Sequence, residues 1–558
     1  MVPRLAAALS LSAVLLASPA SAQVEVLRFE ADAFGPVVTW RDSDEGWYAT
    51  AAHATLMPDG RILFIGYARP TPEALHGEET KLYSWTMTPT PIDQRVPSEM
   101  PATNLPVPYE HQGTVVFPEI ISDNLFCSGH TLTADGDFFS AGGTRVFVNL
   151  TSLYFHSTGL PYATKFDGTT WTRFADEMKV VPLSGIPSRW YPTATRLTDG
   201  RIMVMGGYDQ VYPVPVHNTS AEIFDVGIDK WEIHSNYGEA PMEIQNPNFT
   251  HAFLLPEPVD GYDLIVFGGA GLPVFARISG SPKWDVSEKP RPGTLPFLWP
   301  NYGASTALMP IRIQDGEWGY SNGSVLVTGG AHGTQKMRQA DIFDPVADTW
   351  LPTIEMKIMR HDPSTVLLPD GRILVLAGHD DLTQDPGVRR AQYIDPTNDF
   401  GVVWGRAQES FVRGYHTVSL LLPDGRVLLG GGRDHSTEYT GEKTHFRYYY
   451  PAYMRAERPE IIDAPASFSH GETFQITTAD EAPAEIVLMA LGSMTHAIDM
   501  NQRYVQLATA GSQPGARGTW VIDVVAPTKE TTAPDGYYML FALDAERIPS
   551  VAAIVKLE

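Results

Sequence analysis

The segment LPDGRVLLGGG at residues 422–432 decides the fold of this chain, because its pattern recurs along most of the sequence. An apolar strand leads into an Asp-Gly turn, and a second apolar strand follows and ends in glycines. Asp-Gly between two strand-forming runs is a strong hairpin signal, since glycine accepts the positive φ that such a turn needs. The segment therefore predicts a β-hairpin, and each further copy predicts another.

Six copies of this pattern precede it, one of them with Asn-Gly in place of Asp-Gly. They are MPDGRILFIGY from Met57, TADGDFFSAGG from Thr133, LTDGRIMVMGG from Leu197, VDGYDLIVFGG from Val259, SNGSVLVTGG from Ser321 and LPDGRILVLAG from Leu368. A second signature, AEIFDVGIDKW from Ala221 and ADIFDPVADTW from Ala340, resembles the outer strands and closing tryptophan of a kelch blade. Four-stranded units repeated seven times predict a seven-bladed kelch-type β-propeller.

The repeat stops near Pro451, and a different pattern follows from Pro459 to Glu558. Short alternating strands such as TFQITTA, EIVLMAL and YYMLFAL are typical of an immunoglobulin-like β-sandwich. We therefore expect an all-β protein in three parts. They are a signal peptide at 1–22, a seven-bladed propeller at 23–456 and a C-terminal immunoglobulin-like domain at 457–558.

The N-terminus has the layout of a cleaved secretory signal. Arg4 precedes an apolar run, and Ala20-Ser21-Ala22 stands before Gln23. No later apolar stretch approaches the roughly 20 residues that cross a bilayer, so we expect a secreted, extracellular protein. The formal net charge of −25 comes without a basic cluster. This argues against nucleic acid and anionic membranes as partners, because both need grouped Lys and Arg.

The single cysteine, Cys127, is unusual for a secreted chain of 558 residues and excludes an internal disulfide. Cys127, Tyr191 and His416 each lie nine residues before the turn glycine of their hairpin. Because equivalent hairpins place equivalent residues at one height around the axis, these three side chains should surround one central space. Tyr415 can face the same space only if the lead-in at 411–414 bends, since neighbours in a strand point to opposite faces.

Several phrases around these residues resemble the copper radical oxidases, the family of galactose oxidase and glyoxal oxidase. They are FCSG at 126–129, RWYPT at 189–193, GYH at 414–416 with SLLLPDGRVLLGGG after it, TH at 495–496 followed by IDMNQR, and PDGYYMLF from Pro534. The resemblance covers the second to seventh blades and the terminal domain. It implies an oxidase that converts a small aldehyde or primary alcohol with dioxygen and releases hydrogen peroxide.

Position by position, the resemblance implies a thioether bond between Cys127 and Tyr191, which makes a radical cofactor from the chain itself. It also implies one copper ion held by Tyr191, Tyr415, His416 and His496, with His496 reaching in from the terminal domain. Two imidazoles and phenolate oxygens suit tetragonal Cu(II). In the implied mechanism Tyr415 takes the proton of the substrate hydroxyl, and the Tyr191 radical takes a hydrogen atom from the neighbouring carbon. Nicotinamide and flavin are not required.

The sequence departs from galactose oxidase at two places. Galactose oxidases carry a tryptophan shortly after the Gly-Gly of the third blade, which stacks over the modified tyrosine, whereas Gly206-Gly207 is followed here by Tyr208. The candidates to replace it are Tyr208, Tyr212, Trp190 and Trp299. The first blade also begins soon after the expected cleavage point, without room for a carbohydrate-binding module. We therefore expect a layout closer to glyoxal oxidase and a monomer that acts on small molecules.

A competing hypothesis is a non-catalytic kelch propeller that binds a glycan or a protein through its loops. A free Cys127 thiol would favour it. His130 follows Cys127 in a Cys-x-x-His spacing, but zinc sites of that kind need further ligands nearby. His53, His251, His361 and His379 lie on or beside inner strands, and we expect them to be structural. The run after His379 is polar enough for a loop cation site, although a solvated loop is the simpler interpretation.

Overall fold

The computed structural model describes residues 29–30, 32–42, 46–69, 81–108, 114–116, 119–149, 154–179, 187–210, 216–218, 220–232, 250–268, 272–278, 283–294, 302–332, 335–379, 386–433, 443–479 and 481–558. The expected signal peptide lies outside these residues. Within them the chain is built of β-strands, and the helices are 3-10 turns at Pro386–Arg389, Pro396–Asn398, Ala452–Arg455 and Ala516–Gly518. None of these described helices has the length and apolar character needed to cross a membrane. The prediction of an all-β fold is confirmed.

Seven β-hairpins in the described ranges stand at the seven predicted places, and we number them repeats 1 to 7. Their paired strands are Tyr48–Leu56 with Ile62–Arg69, Gly129–Leu132 with Phe138–Ala141, Thr193–Arg196 with Ile202–Met205, His251–Val259 with Tyr262–Phe267, Tyr302–Leu308 with Val325–His332, His361–Leu367 with Ile373–His379, and Thr417–Leu421 with Val427–Gly431. The seven turn glycines have φ between 77° and 97°, which is the left-handed region that favours glycine.

Each hairpin continues outward into a larger antiparallel sheet. The third strands are Lys81–Met87, Tyr162–Phe166, Ala221–Asp225, Pro273–Arg277, Gln339–Asp344, Arg390–Asp395 and His445–Tyr450. Fourth strands in repeats 2 to 6 are Trp171–Glu177, Lys230–Glu232, Lys283–Val286, Thr349–Trp350 and Gly401–Gln408. The first strands of repeats 2 and 3, 3 and 4, 5 and 6, 6 and 7, and 7 and 1 lie side by side. We call the first strand of each repeat its inner strand.

The outer strand of repeat 7 comes from the start of the chain. Val38–Arg41 pairs antiparallel with His445–Tyr450, and its Arg41 also pairs with Tyr48 of repeat 1. Trp40 in this strand is fully buried, with its ring 4.9 Å from Phe64 and 5.0 Å from Phe446 between centroids. The N-terminal strand thus joins the first and last repeats.

Further short strands lie around this arrangement. Phe29–Glu30 runs parallel to the outer strand of repeat 6, and Ala33–Phe34 pairs with the third strand of repeat 7. Glu99–Pro101 runs parallel to the N-terminal strand Val38–Arg41. Repeat 5 contains two more short strands, Gln335–Lys336 and Ile354–Glu355. A separate sheet joins repeats 2 and 3 and contains Thr114–Val116, Glu119–Asn124, Thr144–Asn149, Tyr154–Gly159, Tyr208–Gln210 and Val216–His217.

The last part of the chain forms two sheets that share the strand Tyr504–Pro514 and are antiparallel except where Ser467–Phe468 runs parallel to Ala553–Leu557. Their other strands are Ile461–Asp463, Ser467–Phe468, Thr473–Thr478, Glu485–Ala490, Trp520–Val525, Gly536–Leu543 and Ala553–Leu557. Side chains from both sheets, among them Ile476, Leu488 and Val524, are buried in one apolar cluster. We call this part the terminal domain.

One hairpin of the terminal domain contacts the inner strands of repeats 1, 2, 5 and 7. It consists of Ser493–Thr495 and Ile498–Asp499, and we call it the insertion hairpin. Ser493–Thr495 pairs antiparallel with the inner strand of repeat 1, where His53 lies opposite Thr495. His496 stands at the turn of this hairpin, so backbone pairing with repeat 1 fixes its position.

Replacing Trp40 with alanine should destabilise the protein by about 3–5 kcal/mol, because the indole fills a fully buried site between repeats 1 and 7. The free energy of unfolding measured with denaturant checks this. Leu82→Ala, at a residue that is 36% exposed, serves as the control and should cost little. Equal losses in the two variants would contradict the joining role of the N-terminal strand.

Candidate active site

The residues singled out by the repeat register occupy equivalent backbone positions. Cys127, Tyr191 and His416 stand just before the inner strands of repeats 2, 3 and 7, with φ of 62°, 65° and 68°. Positive φ is uncommon for residues with a Cβ and costs of order 1–3 kcal/mol, and it occurs mainly where function requires it. A turn closed by the Thr417 amide and the Gly414 carbonyl, 3.1 Å apart, provides the predicted bend before His416.

Buried arginines hold these lead-in segments against the ends of the hairpins. Arg189 donates to the Gly206 carbonyl at 2.9 Å and to the carboxylate of Glu222 at 2.9 Å. Arg413 donates in the same way to the Gly431 carbonyl at 2.6 Å. Both guanidinium groups are essentially inaccessible to solvent. The backbone on either side of the left-handed residue is therefore fixed by charge-assisted hydrogen bonds.

Cys127 and Tyr191 meet across the boundary of repeats 2 and 3. The Tyr191 amide donates to the Cys127 carbonyl at 2.9 Å, and both side chains are buried in one small apolar cluster. The Tyr191 hydroxyl also forms a short hydrogen bond with the hydroxyl of Tyr415. Burial, followed by the proximity of Cys127 and Tyr415, raises the pKa of Tyr191 well above its usual value. The thiol and the two phenols therefore share one desolvated space.

The hydrogen bonds of His496 determine which ring nitrogen faces this space. Thr495 donates its hydroxyl proton to the Ala52 carbonyl at 2.9 Å, so its oxygen accepts from His496 Nδ1 at 2.5 Å. Nδ1 therefore carries the proton, and Nε2 carries the lone pair that a metal can use. Burial, with His416 and His53 nearby, lowers the pKa of His496 well below its usual value and keeps the ring neutral.

The imidazoles and phenols converge around His496. Its ring centroid lies 4.5 Å from that of His416, 5.0 Å from Tyr415 and 5.1 Å from Tyr191. We call Cys127, Tyr191, Tyr415, His416 and His496 the central cluster. The structure thus brings together all five site residues expected from the sequence. Two imidazoles and two phenols can hold one metal ion.

A chain of hydrogen bonds through two further histidines supports Cys127. The Cys127 amide donates to His53 Nε2 at 3.1 Å, so His53 Nδ1 carries the proton and donates to His130 Nε2 at 3.0 Å. His130 Nδ1 then donates to the Ser493 hydroxyl of the insertion hairpin at 2.6 Å. This order leaves one consistent set of neutral tautomers. His53 and His130 are structural, as expected, but they also connect Cys127 to the terminal domain.

Of the four candidates for the missing tryptophan, Trp190 lies closest to Tyr191 in the described part of the chain. The two ring centroids are 4.3 Å apart in an edge-on arrangement, and the Trp190 indole donates to Thr144 at 2.8 Å. Tyr208 belongs to the same apolar cluster, with its ring 6.1 Å from that of Trp190. Tyr212 and Trp299 lie outside the described residues.

Asp362 is a site residue that the sequence analysis missed. It lies nine residues before Gly371 and has φ of 52°, so it occupies in repeat 6 the position of Cys127, Tyr191 and His416. Its carboxylate contacts His361 and His379, two histidines that we expected to be only structural. The same nine-residue count could have found it from the sequence.

The chain is similar to several proteins named as oxidases. A family model described as "Galactose oxidase-like, Early set domain" matches residues 458–557. The chain is 26% identical to the aldehyde oxidase GLOX1 of Arabidopsis thaliana, over 79% of this chain and 72% of that protein. It is 27% identical to the aldehyde oxidase GLOX of Vitis pseudoreticulata, over 79% and 83% of the two chains. A galactose oxidase of Gibberella zeae is 24% identical over 78% of this chain and 61% of that protein.

Among solved structures, a fungal alcohol oxidase in complex with copper matches with a TM-score of 0.65. The match covers 94% of this chain and 99% of the other at 19% identity, which shows a common fold. Together with the named relatives, this confirms the resemblance that the motifs indicated. The chain is similar in sequence to proteins named aldehyde oxidase GLOX and galactose oxidase.

Stability should fall in acid partly because of His130. Burial lowers its pKa to about 3 from an unfolded value near 6.5, so its contribution is complete above pH ~6.5 and is lost as pH falls toward 3. As pH falls, the free energy of unfolding of the unaltered chain should therefore decrease more steeply than that of His130→Gln, by up to about 1.4 kcal/mol per pH unit. Urea unfolding between pH 4 and 7 checks it. Parallel curves for the variant and the unaltered chain would show that His130 does not carry this dependence.

Proposed function

We propose that the chain is a secreted copper radical oxidase that oxidises a small aldehyde or primary alcohol with dioxygen and forms hydrogen peroxide. The observation that carries this proposal is the central cluster, in which a thiol, two phenols and two imidazoles from repeats 2, 3 and 7 and the insertion hairpin meet. The identity of the relatives as aldehyde and galactose oxidases supports the reaction class.

The donor set of the central cluster fits copper. His496 presents Nε2, and the ring of His416 lies nearly perpendicular to it at 84°. The hydroxyls of Tyr191 and Tyr415 meet at one point, and burial raises the pKa of both. Two protonated phenols in a dry site become phenolates readily only beside a cation. Two imidazoles and phenolate oxygens are a ligand set that Cu(II) accepts.

The seven sheets would form one seven-bladed propeller, with the terminal domain as an immunoglobulin-like sandwich. The side-by-side inner strands and the N-terminal strand in repeat 7 support this arrangement. In a propeller the inner strands surround a central channel, which would be filled here by the insertion hairpin.

The residues of the central cluster have distinct tasks in the proposed reaction. Tyr415, as phenolate, accepts the proton of the substrate hydroxyl, and the oxidised Tyr191 accepts a hydrogen atom from the adjacent carbon. The substrate loses two hydrogens in total and becomes an aldehyde, or an acid if it entered as an aldehyde hydrate. Copper held by Tyr191, Tyr415, His416 and His496 would supply the second redox centre, and dioxygen would take both electrons and both protons to give peroxide. Trp190 shields the Tyr191 ring from water on one side.

Formation of the thioether joins Cys127 Sγ to a ring carbon of Tyr191. One hydrogen leaves the thiol and one leaves the ring, with dioxygen as the acceptor. The sulfur substituent eases oxidation of the phenol. The small apolar cluster around the two side chains keeps them in contact and away from solvent.

Loss of either partner of the cross-link should abolish turnover while the fold remains. Peroxide release from small aldehydes, primary alcohols and galactose should fall at least about a hundredfold in Cys127→Ala and Tyr191→Phe. Tyr448→Phe, at a buried tyrosine of repeat 7, is the matched control and should stay active. Intact mass of copper-treated protein should show the loss of two hydrogen atoms, which both cluster variants lack. Full activity in Cys127→Ala would disprove the radical mechanism even if copper binds.

Export should remove residues 1–22. The protein recovered outside an expressing cell should begin at Gln23, because Ala20-Ser21-Ala22 provides the small residues of a signal cleavage site. N-terminal mass analysis of the exported chain tests this. Retention of Met1 in that chain would rule out a cleaved signal.

A further inference from the structure

A second group of possible metal ligands lies on the two inner strands of repeat 6. His361 and His379 are cross-strand partners, and Asp362 follows His361 with a left-handed φ of 52°. His361 Nδ1 lies 3.0 Å from Asp362 Oδ2 and 3.2 Å from His379 Nε2, and the latter two atoms are 3.3 Å apart. All three side chains are more than nine-tenths buried. We call these residues the triad.

Hydrogen bonding alone does not account for these three contacts. If His361 Nδ1 and His379 Nε2 both carry protons and donate to Asp362, their two N–H groups oppose each other at 3.2 Å. If only one nitrogen is protonated, the other directs a lone pair at a carboxylate oxygen or at the neighbouring nitrogen. One of the three contacts is unfavourable in either case. A cation between the atoms would use all three lone pairs.

The spacing matches the edges of a metal coordination shell. Nitrogen and oxygen ligands bind zinc at about 2.0–2.2 Å, which places neighbouring ligand atoms about 2.8–3.6 Å apart for octahedral or tetrahedral angles. The observed 3.0–3.3 Å falls in this range. Two histidines and one carboxylate on one face also form the arrangement typical of divalent first-row metals with open positions.

The charge of the triad suits a cation as well. Asp362 supplies a carboxylate, and buried charges in proteins are paired with an opposite charge or coordinate a metal. Arg360, the nearest cation along the chain, donates to the carbonyls of Ala377, Val388 and Arg390 instead.

We propose that His361, Asp362 and His379 form a second metal site, separate in its ligands from the central cluster, for a divalent first-row transition ion. Its three protein ligands leave positions open for water or an oxygen ligand. Asp362 influences both Tyr415 and His496 electrostatically, so the site lies beside the central cluster. The proposal does not rest on the oxidase function.

Zinc binding to the metal-stripped full chain tests the site. His496→Gln should weaken zinc binding at the central cluster and still bind one zinc per chain, measured by equilibrium dialysis and elemental analysis. Adding Asp362→Asn or His379→Gln to that variant should abolish this binding. Asparagine keeps the shape of aspartate and tolerates its left-handed backbone, so Asp362→Asn is expected to fold. His251→Gln, at a buried histidine bonded to Thr306, is the matched control and should leave the zinc count unchanged.

The unfolding temperature distinguishes loss of the metal site from misfolding of the variant. Zinc should raise the unfolding temperature of His496→Gln, because a ligand that binds only the folded state stabilises it, and should not do so once Asp362→Asn is added. An unchanged zinc count and zinc-induced shift in the folded double variant would overturn the proposal. Failure of the oxidase function would appear separately, as absent copper-dependent peroxide formation with zinc still bound at the triad.

Discussion

The hydrogen bond from a buried arginine to the end of a hairpin is the interaction on which the site depends. It occurs in four repeats, where Arg189, Arg291, Arg360 and Arg413 each donate to a carbonyl at the end of the second strand. In repeats 3 and 5 a buried carboxylate, Glu222 or Asp341, neutralises the guanidinium. Removing one partner of such a pair leaves a buried charge, which costs about 3–5 kcal/mol. The segment that precedes each of these inner strands is thus fixed to the end of its hairpin.

This constraint explains how left-handed residues persist at the entrance of the inner strands of repeats 3, 6 and 7. Tyr191, Asp362 and His416 each follow one of these arginines within three residues. The arginine holds the backbone before them, and the inner strand holds the backbone after them. Because of the positive φ, their side chains do not follow the alternating directions of a regular strand. They can therefore take part in a metal site or a cross-link. The repeat supplies the scaffold, and each copy varies the residue at this one position.

The hairpins and most of the site residues could be predicted from the sequence, because both are defined by short segments around each turn. The Asp-Gly turns predict the hairpins, and counting from each turn glycine places Cys127, Tyr191 and His416 at one level. The same count reaches Asp362, whose significance appears only when the cross-strand partner His379 is seen. Long-range pairings were not accessible. The approach of Ser493–Thr495 to repeat 1 and the chain from Cys127 to Ser493 depend on contacts between segments more than 350 residues apart.

The strand Val38–Arg41 has a consequence for the order of folding. Its partner His445–Tyr450 emerges about 400 residues later, so one edge of this early strand must wait for almost the entire chain. Contacts of such sequence separation carry a large entropic penalty and form slowly. Tyr48 and Glu99–Pro101 can pair with this strand early, but the edge that takes His445–Tyr450 stays open to wrong partners, including its counterparts in other nascent molecules. Assembly is therefore completed by a late closure step, which makes the two ends of the chain the part most vulnerable to misassembly and exchange between copies.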